Sequence, residues 1–283
     1  MTTRGIHNLA MPARIESAAA THVGRIREIN QDAVYERVQK TVAGESLALL
    51  IVADGVGGHK AGQIASELTI DAIRRAMGDM FGDKKIDVTR PLSDIATVEV
   101  VRRPAEFLEE RLRRSVEKAN VTLFQYAADN RDEAGNLGST VTCALLKGDM
   151  AVGANVGDSR TYHMSNDELV QLTRDHSLVY QMIEAGQLPP EAVYEHPQRN
   201  VITRSLGNGE FVNIDTWRRQ LNPGDQLLLC SDGLWELVGN DDVIADALRS
   251  GPPADSVNAL IEAANAAGGS DNIGVVAAQL HWD

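Results

Sequence analysis

The sequence has little of several features that would place it in a specialised class of protein. It has two cysteines, Cys143 and Cys230, too few for a disulfide framework or a cysteine zinc site. Both lie within apolar runs, so we interpret them as reduced core residues. No run of about 18 or more apolar residues is present, and Met1 to Ala20 lacks the apolar region of a signal peptide. We therefore expect a cytoplasmic protein with no membrane association.

Basic residues are also fewer than acidic residues. The chain has 27 Lys and Arg against 40 Asp and Glu, a formal net charge of −13 over 283 residues. Phosphate backbones are bound by basic surfaces, so this balance argues against nucleic acid as a partner. The sequence shows no internal repeat, low-complexity segment or obvious linker. Its length is enough for one large domain with a sizeable core.

The apolar residues divide the chain into strand and helix segments. Ser46 to Ala53 is a continuous apolar run, typical of a strand buried on both faces. Helical spacing predicts helices over 64–80, 108–127, 177–186, 241–249 and 253–267. Short apolar runs predict strands over 15–23, 33–38, 46–53, 140–146, 150–155, 160–163, 168–172, 211–217, 226–230 and 273–280. Runs of strands followed by paired helices indicate an α+β layered domain.

Four aspartates share one sequence context, beside a strong apolar strand and next to Gly, Ser or Asn: Asp54, Asp158, Asp232 and Asp271. Any one of them would suit an ordinary turn. Several carboxylates at one end of a sheet, however, would repel one another unless cations neutralise them. Carboxylate and carbonyl oxygens suit Mg²⁺ or Mn²⁺ rather than Zn²⁺. The pattern therefore predicts a site for hard divalent cations.

Eight stretches, in this order, resemble a known family: RIREINQD (25–32), VADGVGGHKAGQIAS (52–66), GSTVT (138–142), NVGDSRTY (155–162), LTRDHS (172–177), ITRSLG (202–207), LLLCSDGLWE (227–236) and GGSDNIGVV (268–276). The family is PPM, the metal-dependent protein Ser/Thr phosphatases of the type 2C class, in its compact bacterial form. The resemblance covers residues from about 20 to 280. A single Asp-Gly motif would mean little, but the ordered set is specific.

The resemblance implies a fold and a division of the chain. The family fold is a four-layer α-β-β-α sandwich, an α+β architecture in which two antiparallel sheets are flanked by helix pairs. We expect an N-terminal extension over 1–14 and a single phosphatase domain over 15–283. Within that domain, 82–104 is interpreted as an insertion between two helices and 176–206 as the family's flap beside the site.

The resemblance also assigns metal ligands. Asp54 matches the carboxylate that bridges two divalent ions, Mn²⁺ or Mg²⁺, and the Gly55 carbonyl matches a ligand of the second ion. Asp232 and Asp271 match the remaining carboxylates on the first ion. Asp32 matches an outer residue that holds a water on the second ion.

Other matches concern the phosphate group and a third ion. Arg27 falls where the family's phosphate-binding arginine lies, and a guanidinium matches two phosphate oxygens. Arg25, two residues earlier and on the same strand face by alternation, is the alternative. Asp158 matches a residue that helps to hold a third, weaker ion in bacterial members. Its structural alternative is to cap a turn before Ser159.

Two positions depart from patterns seen elsewhere in the family. The animal-type enzymes have a histidine, proposed as general acid, two residues after the bridging aspartate, where this chain has Val56. His59 follows three residues later, and metal-bound water is the alternative proton donor. Gln31 stands where many relatives have Glu, which removes one charge near the second ion.

The implied reaction is hydrolysis of phosphoserine and phosphothreonine by a hydroxide that bridges the two ions, since paired ions acidify water and stabilise both reacting oxygens. The expected partner is a phosphorylated protein, such as a bacterial Ser/Thr kinase or its target, and we expect a monomer. Two alternatives remain open: a non-catalytic phosphoprotein-binding module on the same fold, and a phosphatase of small molecules. The intact set of carboxylates argues against the first, and a shallow site of strand-end loops argues against the second.

Overall fold

The computed structural model describes residues 13–42, 44–58, 60–83, 104–131 and 137–282. Its strands are β1 (Ala13–His22), β2 (Asp32–Lys40), β3 (Ser46–Val56), β4 (Gly138–Ser139), β5 (Val141–Lys147), β6 (Met150–Val156), β7 (Arg160–Ser165), β8 (Glu168–Gln171), β9 (Asp215–Gln220), β10 (Gln226–Cys230) and β11 (Ile273–Trp282). Its helices are α1 (Lys60–Met77), α2 (Pro104–Asp129), α3 (Leu178–Glu184), α4 (Ala192–Glu195), α5 (Asp232–Val238), α6 (Asp241–Arg249) and α7 (Pro253–Ala266).

The strands form two antiparallel sheets. One has the order β1-β11-β10-β7-β8, and the other has the order β2-β3-β5-β6-β9, with β4 paired to β3. Strands β5 and β6 form a hairpin, in which Lys147 pairs with Met150. Antiparallel strands that follow one another along the chain can be joined by a turn of a few residues. The short segments between these strands are rich in turn-forming residues.

Strand β3 shows how the layers are held together. Its side chains alternate between two separate cores, as the pleat of a strand requires. One set packs against the helices α1 and α2: Leu47, Leu49 and Ile51. The other set packs against the opposite sheet: Ala48, Leu50 and Val52. The prediction of a strand buried on both faces is therefore confirmed.

The helices cover the two outer faces. Helices α1 and α2 lie on the β2-β3-β5-β6-β9 sheet, and α5, α6 and α7 lie on the other. The result is the four-layer α-β-β-α arrangement that the resemblance implied. The predicted apolar face of α2 is confirmed, since Leu108, Leu112, Val116, Ala119 and Leu123 are buried.

Several elements differ from the sequence prediction. The most buried stripe of α1 begins with the small residues Ala61 and Ala65 and continues through Thr69, Ile73 and Met77. Ile64 and Leu68, from whose spacing the helix over 64–80 is predicted, are only partly buried beside it. Helix α5 was not predicted, because its short apolar run continues directly from β10. Strand β9 begins at 215 rather than 211, since residues 207–210 are tied to α2 instead of to a sheet.

Some predictions fall outside the described residues. They are the role of His59, most of the 1–14 extension and residues 84–103 of the 82–104 insertion. No helix within the described ranges is long and apolar enough to span a membrane.

Candidate metal centre

Asp32 and Asp54 face each other because β2 and β3 pair in a register that places them opposite one another. Strand β3 continues to residue 56, beyond the predicted end at 53, because Gly55 pairs with Ser139 of β4. The Asp54 carbonyl accepts from the Thr140 N–H (2.8 Å) and the Ser139 hydroxyl (3.1 Å). The bridging candidate is thus held on a hydrogen-bonded strand rather than on a free turn.

Gly55 lies where the first turn of α1 meets β3. A Cβ atom at Gly55 would overlap the Gly62 carbonyl oxygen, so only glycine permits this approach. The Gly55 N–H donates to the Gln31 carbonyl (3.0 Å), and the Gln31 side chain donates to the Gly57 carbonyl (3.2 Å). Gln31 therefore connects the loop before β2 to the glycine-rich turn after Asp54.

Asp232 and Asp271 are brought together by direct backbone packing. Asp232 is the first residue of α5, and a Cβ at Gly233 would overlap the Asn272 carbonyl oxygen. The Asn272 amide also donates to two carbonyl groups of the 23–31 loop (2.9 and 3.0 Å). This side chain, to which the sequence analysis assigned no role, holds the loop that carries Asp271 in place.

Ser231, directly before Asp232, forms hydrogen bonds with residues of both sheets. Its hydroxyl donates to Asp32 Oδ2 (2.6 Å) and accepts from the Gly274 N–H (2.8 Å). Asp32, predicted as an outer residue, is 7% exposed. The sequence analysis missed Ser231, although its place directly before a predicted ligand was a usable signal.

Asp158 lies in the turn between β6 and β7 and is 4% exposed. Its Oδ1 atom is buried and has no hydrogen-bond partner among the described residues. Its carbonyl oxygen accepts from the Trp235 indole N–H (3.0 Å). A buried carboxylate oxygen without a partner is costly, and a cation would satisfy it. The alternative role of Asp158 as a turn cap is compatible with this arrangement, because the carboxylate also interacts with the backbone of Asp158 itself.

A second charged group, which we call the buried clamp, lies next to Asp158 and consists of Arg160, Asp175 and Trp235. Arg160 and Asp175 are each 3% exposed and pair at 2.6 Å between Nη2 and Oδ2. The Trp235 ring covers the guanidinium at 3.5 Å from its centroid. These residues lie in the stretches that resemble the family, but no role in a site was predicted for them.

Five carboxylates form what we call the acidic cluster: Asp32, Asp54, Asp158, Asp232 and Asp271. Desolvation, followed by repulsion from Asp32 and the other members, raises the pKa of Asp54 well above its ordinary value. Desolvation, then Asp158 and Asp271, does the same to the pKa of Asp232. Desolvation raises the pKa of Asp32 and that of Asp158 to about 7 in each case. The mutual repulsion shows that these side chains, remote in sequence, share one region.

The described side chains of the acidic cluster do not by themselves surround a metal ion. Within the described chain, no three His, Cys, Asp or Glu side chains already form a group that would hold a metal ion by themselves. The donor atoms are nevertheless all oxygens, and no described residue donates a hydrogen bond to the Asp158 Oδ1 atom. Mg²⁺-type ions commonly keep several waters and use only one or two carboxylates each. The residues present therefore fit hard divalent cations.

Arg27 lies at the rim of the acidic cluster. Its Nη2 is 2.8 Å from Asp271 Oδ2, and its side chain is 49% exposed. The prediction that Arg25 and Arg27 share a strand face is wrong, because β1 ends at His22 and a turn follows. The turn arises because the Arg25 N–H donates to the Gly269 carbonyl (2.6 Å). Arg27, which contacts a member of the cluster, is the better placed of the two.

The segment predicted as the flap, 176–206, includes α3 and α4. Its Arg199 pairs with Glu236 and lines a small pocket with Asp232 and Asp271. Its Arg204 pairs with Asp215 at 2.7 Å instead of extending towards that pocket. Arg199 is therefore the flap arginine next to the acidic cluster.

Comparison with known proteins identifies relatives over most of the chain. The family model for protein phosphatase 2C matches residues 22–275. The serine/threonine phosphatase stp of Listeria innocua is 34% identical over 258 residues, 90% of this chain and 92% of that protein. The structure of the Mycobacterium tuberculosis serine/threonine phosphatase PstP/Ppp has 32% identity and a TM-score of 0.77, covering 94% of this chain and 99% of that one. The PstP catalytic domain in complex with two manganese ions has 31% identity and a TM-score of 0.75, covering 95% and 99%.

Proposed function

This chain belongs to the protein phosphatase 2C family and is a serine/threonine phosphatase, and we propose that its acidic cluster holds two Mn²⁺ or Mg²⁺ ions for the hydrolysis of phosphoserine and phosphothreonine. The ligands would be Asp54, the Gly55 carbonyl, Asp232 and Asp271, with Asp32 behind them. The observation that carries the proposal is the gathering of five mutually close carboxylates, two of them buried and three partly buried, beside one exposed guanidinium.

Each residue contributes a definite physical property. The bound ions would lower the pKa of water and stabilise charge on the reacting oxygens. Arg27 is exposed at the rim, so its guanidinium can exchange Asp271 for two phosphate oxygens, which a bidentate fork suits well. Ser231 and Asn272 keep Asp32 and Asp271 in place before substrate arrives. Positioning of this kind reduces the reorganisation needed during the reaction.

We extend the proposal to a third and weaker ion at Asp158, which is supported by its unpartnered Oδ1. The manganese complex of the PstP catalytic domain supports the choice of Mn²⁺ for the two-ion site. The proposed substrate is a phosphorylated protein, such as a Ser/Thr kinase or its target, in the cytoplasm, and the proposed state is a monomer. We also propose that 15–283 forms a single catalytic domain, with 82–104 as an insertion and 176–206 as the flap.

The test is an assay with an aryl phosphate after metal removal, with and without added Mn²⁺. We expect turnover that depends on Mn²⁺ and is lost in Asp232→Ala. The control variant Asp246→Asn changes an exposed aspartate on α6 and should keep full activity. Metal-independent turnover, or full turnover in Asp232→Ala, would contradict the proposal. Rates on phosphopeptides compared with free nucleotides would then separate protein substrates from small molecules.

A further inference from the structure

Phe211 projects into water from a loop that is itself held in place. Phe211 is 89% exposed, whereas Asn120 on α2 is 2% exposed. The Asn120 amide donates to the carbonyl oxygens of Gly209 (2.9 Å) and Glu210 (3.1 Å), and its oxygen accepts from the Gly207 N–H (3.0 Å). Because a buried side chain anchors residues 207–210, the backbone that leads into the exposed ring is held in place. Large aromatic side chains presented to solvent in this way are typical of contact sites.

Phe211 stands at one end of a groove that follows α2, which we call the α2 groove. It consists of two adjoining concavities of about 300 and 620 Å³, which share Glu117 and Val121 in their walls. Val121 and Phe124, one turn apart on α2, are each 39% exposed. The end of the groove near Phe211 combines the apolar side chains of Val121, Phe211 and Val212 with those of Glu117, Asn120 and Glu210, and the volumes lie in the range of known binding sites.

The other end of the α2 groove is basic, although the protein carries a net charge of −13. Arg75, Arg114 and Lys118 line it together with Glu117. The Arg75 and Arg114 side chains pair with acids on their own helices but are 76% and 63% exposed. Such exposed pairs contribute little and leave the cations available to a partner. Lys118 makes no ion pair with any residue that the structure describes.

The α2 groove is distinct from the acidic cluster but connected to it through the backbone. None of its described lining residues belongs to the cluster. The loop that carries Phe211 follows Leu206, which exchanges backbone hydrogen bonds with Ser139 (2.8 and 3.2 Å). The Ser139 hydroxyl in turn donates to the Asp54 carbonyl (3.1 Å). A segment bound in the groove would therefore leave the metal centre free for substrate.

We propose that the α2 groove binds a segment of a partner protein that combines acidic side chains with one large apolar side chain. The apolar side chain packs against Phe211 and Val121, and the acidic side chains pair with the cations at the other end. A polyanion without an apolar group would not use the exposed ring. Charge complementarity on an otherwise acidic molecule selects the segment, and the apolar contact sets its position.

The test measures binding alone, so its failure would not bear on the phosphatase activity. The probe is a short fluorescein-labelled peptide of glutamates around one leucine, titrated with the full chain in a fluorescence anisotropy experiment. We expect saturable binding that weakens as salt rises. Phe211→Ser and Lys118→Glu should each weaken it about tenfold, since an anchor residue at a contact site has an effect of that size. Val170→Ser and Lys147→Glu, outside the groove, should leave it unchanged.

Hydrolysis of an aryl phosphate by each variant shows that it has folded, because none of these residues belongs to the metal centre. Equal binding of a probe with lysines in place of the glutamates would overturn the proposal, as would unchanged binding by both groove variants. Loss of a dimer in sedimentation of Phe211→Ser would also overturn it, since the groove would then join two copies of this chain.

Discussion

The buried clamp and the acidic cluster are neighbouring groups of charged side chains that are neutralised in different ways. Asp175 is 3% exposed and receives hydrogen bonds from the Arg160 Nε and Nη2 atoms. Asp158, nearly as buried, has an oxygen with no partner among the described residues. The chain thus gives Asp175 a directly hydrogen-bonded guanidinium, whereas the same Arg160 attracts Asp158 with no hydrogen bond between the two described side chains.

This difference in how the carboxylates are neutralised indicates the role of each group. A carboxylate with a built-in guanidinium is fixed and contributes to the structure, because its counter-charge never leaves. Carboxylates whose pKa is raised by burial and by one another are destabilising until a cation or a proton arrives. We infer that the buried clamp stabilises the fold. We infer that the acidic cluster, in contrast, destabilises the metal-free protein and is suited to binding ions.

Removing the carboxylate of the buried clamp should give the largest effect on stability. Asp175→Asn leaves the Arg160 guanidinium buried with no full counter-charge, and breaking such a pair lowers the free energy of unfolding by about 3–5 kcal/mol. Urea unfolding followed by circular dichroism would measure it. The matched control is Asp246→Asn, which breaks an exposed Arg–Asp pair of similar length (2.7 Å) and should change it by less than about 1 kcal/mol. An equal loss in the free energy of unfolding in the two variants would show that the buried pair stabilises the protein no more than the exposed pair does.

The same substitution in the acidic cluster should have opposite effects on activity and on stability. Asp232→Asn should lower Mn²⁺-dependent turnover by about 100-fold or more, since even residues behind a metal ligand contribute about 10–100-fold. It should also raise the melting temperature of the metal-free protein, because repulsion from Asp158 and Asp271 is relieved. Calorimetry in EDTA measures the second effect. A lower melting temperature in EDTA would show that Asp232 is structural.

The residues of the metal centre also differ in whether they could be predicted from the sequence. Asp54, Asp232 and Asp271 were predictable because each follows or precedes a strong apolar strand and carries a family motif. The partners that orient them were not, because Ser231 and Asn272 act through contacts with residues some 200 positions away or more. Hydrogen bonds across such separations are set by how the two sheets stack, which local patterns do not encode.

The fold shows the same division between local and long-range information. Strand β3 and the buried face of α2 were predictable because their periodicity reflects burial directly. Helix α5 was not, since its seven residues have too few turns to show a period. Arg25 and Arg27 were assigned to a strand because alternation alone does not reveal that a contact with Gly269 ends β1 early.

Acidification should stabilise the metal-free protein. The pKa of Asp32 and that of Asp158 are raised to about 7, above their values in the unfolded chain, so the folded state binds protons that the unfolded state does not. Stability therefore rises as the pH falls through 7 and decreases as the pH rises through it. Between about pH 8 and about pH 6 we expect a gain on the order of 2 kcal/mol in the free energy of unfolding.

Urea unfolding in EDTA at several pH values would measure this gain, and Asp158→Asn should reduce it. Saturating Mn²⁺ should abolish it, because the ions compete with the protons for the same oxygens. Stability that instead falls on acidification in EDTA would show that these carboxylates are paired in the native protein.

Trp235 is part of the buried clamp and donates a hydrogen bond to Asp158 of the acidic cluster, so a conservative change at this residue tests whether the two groups are independent. Trp235→Phe keeps an aromatic face over Arg160 but removes the indole N–H bond to the Asp158 carbonyl (3.0 Å). We expect a loss of about 1 kcal/mol in the free energy of unfolding, the usual contribution of one hydrogen bond. If that bond also orients Asp158, Mn²⁺ affinity measured by calorimetry should fall in Trp235→Phe and remain unchanged in the more distant Tyr194→Phe. Unchanged affinity in both would mean that the buried clamp supports the fold without positioning the acidic cluster.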